Sequence, residues 1–300
     1  MMPDAEPLAI ARTDSFLDRS IGRLSYGCWR LPGTAQSDLA RKIDAALAIG
    51  ANVIDTAAVY GDGEAETMLG KLFTERPSLR DDVMLVTKGG IVRPIPYDST
   101  KAHLLASCDA SLKRMKCEQI DIFLIHRPDV LAGHGEVADA LNTLLESGKV
   151  RAVGVSNYSV EQTRALQRFV DRPLAVTQPE ISALYTGALF DGTLDNAQAE
   201  QLLPMAWSPL AGGVLTAGHE TQADRVNDVT LALDRIAAEN DAKRECVALA
   251  WLLAHPAGII PILGTQTPDR ISAAAGAFEI KMNRRDWYAI LEASLGKRMP

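Results

Sequence analysis

Leu24-Ser25-Tyr26-Gly27-Cys28-Trp29-Arg30 predicts the first strand of a repeating α/β fold and the turn that follows it. A doubly wound open sheet, the competing fold, would normally carry a Gly-x-Gly-x-x-Gly turn at this point. Gly27-Cys28-Trp29-Arg30 does not have that pattern. Eight predicted strands alternate with helices along the chain without an intervening linker. We therefore predict an α/β protein of the (β/α)8 TIM barrel class.

The predicted elements extend from residue 24 to residue 275 and are flanked by two additions. Strands are predicted over residues 24–29, 52–56, 83–88, 120–126, 152–156, 175–178, 204–208 and 259–264. Helices are predicted over residues 37–49, 64–74, 100–115, 136–147, 160–168, 194–201, 226–240, 244–254 and 268–275. Ser37 is the expected cap of the first helix. A short N-terminal β-hairpin over residues 8–21, turning at Thr13-Asp14-Ser15, precedes the barrel, and an extra C-terminal helix over residues 284–294 follows it.

Composition and charge exclude several classes of function. The chain has 300 residues, and an α/β barrel commonly uses about 250 as one domain, so we predict a single domain over residues 1–300. A net charge of -7 argues against non-specific nucleic-acid binding. No apolar run approaches the roughly 20 residues that a membrane helix needs. Residues 1–12 lack the pattern of a secretory signal, so a cytoplasmic location is expected.

The four cysteines do not predict a metal site. They are scattered, without a Cys-x-x-Cys pair or a histidine at zinc-ligand spacing: Cys28, Cys108, Cys117 and Cys246. This pattern indicates reduced thiols in a reducing compartment. The barrel helices use all the amphipathic stretches, so a monomer is expected.

Four polar side chains lie where predicted strands end. They are Asp55, Tyr60, Lys88 and His126. The carboxyl ends of barrel strands meet at one rim, where enzymes of this fold carry out their chemistry. Hydride delivery to a carbonyl carbon leaves an alkoxide, which must be protonated as it forms. The phenol can supply that proton, the ammonium can lower the pKa of the phenol, the carboxylate can hold the ammonium, and the imidazole can polarise the carbonyl.

Six motifs resemble those of a known family. They are Ile54-Asp55-Thr56-Ala57-x-x-Tyr60-Gly61, Thr87-Lys88, Leu124-Ile125-His126-Arg127-Pro128-Asp129, Gly154-Val155-Ser156-Asn157, Ala206-Trp207-Ser208-Pro209-Leu210 and Pro261-Ile262-Leu263-Gly264-Thr265. In kind and order they resemble the aldo-keto reductases. Met205 to Leu210 and Lys281-Met282-x-x-x-x-Trp287 are similar to the bacterial YdhF-type oxidoreductase branch. The resemblance implies that the four polar side chains are a catalytic tetrad for carbonyl reduction.

The resemblance also implies NADPH as the cofactor. The residues that correspond to nicotinamide contacts are Ser156, Asn157, Gln178 and Trp207. Those that correspond to the pyrophosphate loop are Ser208, Pro209, Leu210 and Gly212, and those of the 2′-phosphate region are Gly264, Thr265, Gln266 and Arg270. Further predicted contacts at strand ends are Gly27, Cys28, Trp29 and Asp55. The sequence departs from the family at Gly264, where many members have a lysine.

Other interpretations of the same residues stay open at this point. Asp55 and Lys88 are also compatible with a structural ion pair, and Ser156 or Asn157 with a cap of the following helix. A lysine at the end of a barrel strand can form a Schiff base, so Lys88 is also compatible with an aldolase. A cofactor-binding regulatory or redox-sensing protein with slow turnover is an alternative to the reductase.

The sequence predicts the lining of the substrate pocket but does not determine the substrate. Residues at strand ends that are predicted to line it are Trp29, Tyr60, His126 and Arg127. Such a pocket suits small aldehydes or ketones, including those derived from sugars or other metabolites. The loop over residues 214–227 is expected to cover the cofactor, and residues 93–98 are expected to form another loop at the rim.

Overall fold

Eight parallel strands close into a barrel in the computed structural model, which describes residues 6–216 and 224–300. A hairpin of β1 (Thr13–Phe16) and β2 (Arg19–Gly22) comes first. The barrel strands are β3 (Ser25–Gly27), β4 (Val53–Asp55), β5 (Met84–Gly89), β6 (Ile120–Ile125), β7 (Val150–Ser156), β8 (Val176–Gln178), β9 (Leu203–Ala206) and β10 (Ile260–Leu263). They follow one another in chain order, and β10 pairs with β3. The predicted (β/α)8 barrel is confirmed.

Helices surround the barrel and follow the predicted order. They are α1 (Gln36–Ala48), α2 (Glu64–Glu75), α3 (Leu79–Asp82), α4 (Lys101–Met115), α5 (His134–Glu146), α6 (Val160–Gln167), α7 (Thr193–Ala199), α8 (Asp224–Glu239), α9 (Arg244–Leu253), α10 (Pro268–Ala273) and α11 (Arg284–Leu295). Within the described residues, no helix is long and apolar enough to cross a membrane. The loop predicted over residues 214–227 includes residues 217–223, which lie outside the described residues.

One local expectation about helices was wrong, and one short helix was not predicted. Ser37 does not cap α1, because the helix begins one residue earlier and its N-cap, Ala35, makes no side-chain bond. The Gln36 side chain instead donates to the carbonyl of Met68 on α2, which fixes the start of α1 by a tertiary contact. The short helix α3 was not predicted, since four residues are too few to show a helical period.

The barrel strands separate two packed layers of apolar side chains. Met84 and Val86 of β5 belong to the cluster inside the barrel, whereas Leu85 belongs to the layer between strands and helices. This alternation follows from the two-residue period of a strand. It places Lys88 on the inward face of β5 and Thr87 on the outward face.

The hairpin is present, but its turn was placed wrongly. The strands pair from Thr13 with Gly22 to Phe16 with Arg19, so the turn is Leu17-Asp18 rather than residues 13–15. Leu17 and Asp18 have φ values of 48° and 59°, the left-handed region that a two-residue hairpin turn requires. Leu17 packs against the apolar cluster inside the barrel, and this burial selects a turn that local propensity does not indicate.

Asp121 holds the amino-terminal end of the barrel together. This carboxylate, at the start of β6, is 2% exposed and accepts the backbone N–H of Leu85 at 2.8 Å. Arg80 lies 2.9 Å from one oxygen, and Arg151 and Arg19 lie 3.2 Å and 3.6 Å from the other. Arg151 also donates to the carbonyl of Leu17. The cluster thus connects the hairpin to the base of the barrel, away from the rim where the tetrad lies.

Candidate active site

The barrel brings the four predicted catalytic side chains together at the carboxyl rim. Asp55 is the last residue of β4, Lys88 lies near the end of β5, and His126 directly follows β6. Tyr60 lies in the turn between β4 and α2. Because β4, β5 and β6 are adjacent and parallel, residues at their ends are neighbours across the sheet.

Lys88 is the centre of the tetrad. Its Nζ atom donates to Asp55 Oδ2 at 2.8 Å, to the carbonyl of Thr56 at 2.8 Å and to Tyr60 Oη at 3.2 Å. The ring of Tyr60 meets the ring of His126 edge to face, with centroids 5.8 Å apart. Because the lysine also donates to a phenol, it does more than form the structural ion pair that the sequence left open.

Burial and charge act in opposite directions on the lysine and the phenol. Burial lowers the pKa of Lys88, but Asp55 and Tyr60 outweigh it and hold that pKa above the ordinary value. Lys88 is therefore a cation at neutral pH. Burial also raises the pKa of Tyr60, and the charge of Lys88 and its hydrogen bond counteract part of that rise. Lys88 lowers the pKa of Tyr60, as expected, but the larger effect of burial keeps Tyr60 a neutral phenol with a proton to donate.

His126 is neutral for a different reason. Burial lowers its pKa to about 2, with further lowering from the charges of Lys88 and Arg127. Its Nδ1 atom is buried without a hydrogen-bond partner among the described residues. Nothing there accepts a proton from Nδ1, so we expect the neutral ring to carry its proton on Nε2, where it can donate to a carbonyl oxygen.

This neutrality predicts an NMR result. The ring signals of His126 should not titrate between about pH 5 and 8, the interval in which an ordinary histidine gains its charge. A titration of the ring protons, with the signal identified by its loss in His126→Asn, measures this directly. A midpoint near the ordinary value would show that the ring is solvated enough to hold a charge.

The predicted nicotinamide residues form one hydrogen-bonded chain. Trp207 Nε1 donates to Asn157 Oδ1 at 2.9 Å, and Asn157 Nδ2 donates to Ser156 Oγ at 2.7 Å. Ser156 Oγ donates to the carbonyl of Gln178 at 2.9 Å, and Gln178 Nε2 donates to Asp55 Oδ1 at 2.8 Å. The chain therefore ends on the carboxylate that holds the lysine.

The capping interpretation of Ser156 and Asn157 is wrong. Helix α6 is capped by Ser159, whose hydroxyl accepts the N–H of Gln162 while the Gln162 side chain accepts the N–H of Ser159. Ser156 and Asn157 instead direct their side chains into the chain that leads to Trp207 and Gln178. They therefore link β7 to β8 and to Trp207 instead of starting α6.

The loops after β9 and β10 carry the residues predicted to contact the cofactor phosphates. Gly212 and Gly213 have φ values of 69° and 105°, a left-handed backbone that glycine adopts without steric cost. Arg270 is exposed on α10, and Gly264 and Thr265 precede that helix. Gln266 differs from the expectation: its side chain accepts from Tyr26 Oη at 3.0 Å and donates to the carbonyl of Gly27, so it is turned towards β3.

The remaining predicted residues border the mouth of the barrel. Trp29 is 62% exposed, and the guanidinium of Arg127 lies 5.5 Å from the centroid of the Trp207 ring. Cys28 is fully buried, and its backbone N–H donates to the carbonyl of Asp55 at 2.8 Å. Ser208 lies in the left-handed region, and Pro209 and Leu210 follow it into a short 3-10 segment (Ala211–Thr216).

Comparison with known proteins agrees with this geometry. The profile of the Aldo/keto reductase family matches residues 23–294. The chain belongs to this family. A 6-dehydroglucose reductase of Novosphingobium aromaticivorans is 45% identical over 94% of each chain, and another of Agrobacterium fabrum is 39% identical over 93% of this chain and 96% of the relative. Oxidoreductase YdhF of Escherichia coli is 35% identical over 93% of this chain and 95% of its own, which confirms the predicted branch.

Solved structures show the same fold. A glycerol dehydrogenase, AKR11B4 from Gluconobacter oxydans, superposes with a TM-score of 0.84 at 24% identity and covers 98% of both chains. The thermostable aldo-keto reductase Tm1743, in complex with the inhibitor epalrestat, gives 0.82 at 23% identity over 94% of this chain and 99% of that one. The protein is an aldo-keto reductase, a family that generally uses NAD(P)H.

The contacts of Lys88 also disfavour an aldolase. A Schiff-base lysine must lose its proton to attack a carbonyl. Here the ammonium has three oxygen partners and a raised pKa. Lys88 is therefore suited to be a fixed positive charge and not a nucleophile.

The residues present fit a nicotinamide cofactor. A hydroxyl and two carboxamides, from Ser156, Asn157 and Gln178, supply the donors and acceptors that an amide needs. The Trp207 ring is only partly buried, so a second flat ring can stack on it. Ser156 and Gln178 end β7 and β8, Asn157 follows β7, and Trp207 follows β9.

Two residues near the site were not predicted from the sequence. Arg30 donates to the carbonyls of Gly212 at 3.2 Å and Gly264 at 3.5 Å, so it joins the loops after β9 and β10. Arg30 directly follows Trp29, a predicted site residue, and this position was the only sign in the sequence that Arg30 lies near the site. Glu66 is wholly buried behind β5, and a single glutamate on an amphipathic helix gives no sign of that.

Proposed function

We propose that the protein reduces aldehydes or ketones to alcohols with NADPH, and that Tyr60 is the general acid. The observation that carries the proposal is the placement of the Lys88 ammonium, 2.8 Å from Asp55 and 3.2 Å from the hydroxyl of Tyr60. A buried cation beside a neutral phenol stabilises the phenolate that remains after proton donation. The bound nicotinamide would supply the hydride.

Each tetrad residue has a separate role in the proposed reaction. His126, neutral and protonated on Nε2, donates a hydrogen bond to the carbonyl oxygen and orients the substrate. Tyr60 transfers its proton to that oxygen as the carbon receives the hydride. Lys88 stabilises the resulting phenolate, and Asp55 keeps Lys88 charged and in place. Solvent then returns a proton to Tyr60.

For the substrate we propose a sugar-derived aldehyde. The two relatives at 45% and 39% identity are named for 6-dehydroglucose, and the identity extends over nearly the whole of each chain. Arg127 and the exposed ring of Trp29 border the mouth, and both can contact a hydroxylated ring. The test is a screen of 6-dehydroglucose and simple aldehydes and ketones, following the loss of reduced-cofactor absorbance with NADPH and with NADH.

The screen separates the reductase from its alternative. Turnover of at least one carbonyl compound supports the reductase. Tight binding of NADPH with negligible turnover of every compound would support a regulatory or redox-sensing protein. The expected monomer and the expected cytoplasmic location stay predictions.

Arg270→Ala tests the preference for NADPH. Arg270 is an exposed cation in the first turn of α10, the helix that follows Gly264 and Thr265, where a 2′-phosphate is proposed to bind. Loss of a charge-assisted contact should weaken NADPH about tenfold or more and NADH less than about threefold. Dissociation constants from cofactor titration of tryptophan fluorescence measure both. Arg168→Ala, at an exposed arginine that follows α6, is the control. Equal losses for the two cofactors would contradict the assignment.

A further inference from the structure

Glu66 is a buried carboxylate that the proposed mechanism does not use. It lies on α2 with no solvent-exposed surface. Its Oε1 atom accepts from the hydroxyl of Thr87 at 2.5 Å, and its Oε2 atom accepts from Nε of Arg114 at 2.7 Å. A buried carboxylate is costly unless it is paired and hydrogen-bonded. Each oxygen of Glu66 is thus fixed by a partner on a different element, one on β5 and one on α4.

Thr87 connects this carboxylate to the tetrad lysine. Thr87 and Lys88 are consecutive on β5, and consecutive side chains leave a strand on opposite faces. Lys88 points inward to Asp55 and Tyr60, whereas Thr87 points outward to Glu66. The bond from the Thr87 hydroxyl to Glu66 therefore fixes the outward face of β5 at the residue next to Lys88.

The same carboxylate is connected to the turn that carries Tyr60. Helix α2 begins at Glu64, four residues after Tyr60. A Cβ atom on Gly63, the N-cap of α2, would lie 2.6 Å from Cδ of Arg114. One on Gly70 would lie 2.1 Å from the Arg114 carbonyl oxygen. Glycines at these positions let α2 press directly against α4, so Arg114 contacts the start of α2 and pairs with Glu66 as well.

We propose that Thr87, Glu66 and Arg114 are positioning residues that set the separation between Tyr60 and Lys88. Thr87 fixes the position of Lys88, and the packing of α2 on Arg114 fixes the position of Tyr60. The effect on rate rests on the proposed function, in which Lys88 tunes the proton donor. The effect on Tyr60 itself does not depend on it.

Thr87→Val is the sharpest test, because valine keeps the shape and removes the hydroxyl. The distance from Lys88 Nζ to Tyr60 Oη is 3.2 Å. If it lengthens by about 0.5 Å, the tyrosinate loses enough stabilisation to raise the pKa of Tyr60 by about half a unit. Alkaline titration of tyrosinate absorbance, taken as the difference between each protein and its Tyr60→Phe counterpart, isolates this residue. In alcohol oxidation, which needs the phenolate, the rising limb of kcat should move up by the same half unit, about threefold in rate at a fixed pH below the limb.

Three comparisons decide the result. Thr87→Ser, which keeps the hydroxyl, should restore the wild-type titration. Thr74→Val is the matched control, because Thr74 lies on α2, the helix that carries Glu66, and its hydroxyl donates to the carbonyl of Gly70 and to no other group among the described residues. It should leave Tyr60 unchanged. Thr87→Ala, which also removes the hydroxyl and changes no charge, should move the titration in the same direction as Thr87→Val and serves if that variant does not fold.

An unshifted Tyr60 titration in a folded Thr87→Val protein would overturn the positioning role, even if its melting temperature fell. An equal shift in Thr74→Val would overturn it too, because the effect would then be general to α2. The titration needs no substrate, so it is separate from the reductase test. A protein without reductase activity would contradict the proposed function and leave the positioning role intact.

Discussion

Tyr60→Phe is expected to lower kcat for carbonyl reduction by about 1,000-fold, within the range that a positioned general acid contributes. The phenylalanine ring should keep the edge-to-face contact with His126 and the place above Lys88, whose ammonium lies 5.0 Å from the Tyr60 ring. Only the hydroxyl is lost, and with it the proton for the developing alkoxide. Stopped-flow or steady-state assays with NADPH and the best carbonyl substrate measure the change.

Cofactor binding separates this result from general damage to the site. The dissociation constant of NADPH should stay within about twofold in Tyr60→Phe, because the proposed nicotinamide contacts lie on β7, β8 and the loop after β9. Tyr288→Phe, at a partly exposed ring on α11, is the control for loss of a tyrosine hydroxyl elsewhere. A Tyr60→Phe protein that binds NADPH and reduces carbonyls at the wild-type rate would rule out Tyr60 as the acid.

Asp121→Ala is expected to lower the free energy of unfolding by about 3–5 kcal/mol, the usual result of removing one partner of a buried charge cluster. Three guanidinium groups, from Arg19, Arg80 and Arg151, would be left around the site without their common carboxylate. The N–H of Leu85 would also lose its acceptor. Urea unfolding followed by circular dichroism gives the free energy.

The matched control for this prediction is Asp109→Ala. Asp109 pairs with Lys149 at 2.5 Å, but both side chains are about half exposed, so the loss should be at most about 1 kcal/mol. Similar losses in the two variants would show that the cluster at the base of the barrel is no stronger than a surface pair. A large loss in Asp121→Ala alone would show that this buried carboxylate stabilises the fold far more than a surface pair does.

The sequence predicted the features that depend on short-range pattern. Apolar runs gave the barrel strands, and the polar residues at their ends gave the tetrad, because parallel strands bring their carboxyl ends together in any barrel. The order of the motifs then indicated the family. These inferences needed only the period of each element and the chemistry of the residue that ends it.

The sequence did not predict features that depend on tertiary contact. The hairpin turn is fixed by the burial of Leu17, not by the turn-forming residues that precede it. The start of α1 is fixed by the bond from Gln36 to α2. Gln266 is turned to Tyr26, a residue 240 positions away in the chain. In each case the deciding partner is distant in sequence, and no local pattern points to it.

Asp55 has one further consequence, because its two oxygens serve different neighbours. Oδ2 accepts from Lys88 and Oδ1 accepts from Gln178, the last member of the hydrogen-bonded chain that starts at Trp207. On the proposed function, a ligand that draws the Gln178 amide towards itself changes the charge felt by Lys88, and so the proton affinity of Tyr60. Thermodynamic linkage makes the effect mutual: the affinity for the oxidised or reduced cofactor must vary with the protonation of the tyrosine by the same factor. On the proposed function, Asp55 is therefore the group through which cofactor binding and the protonation of Tyr60 are linked.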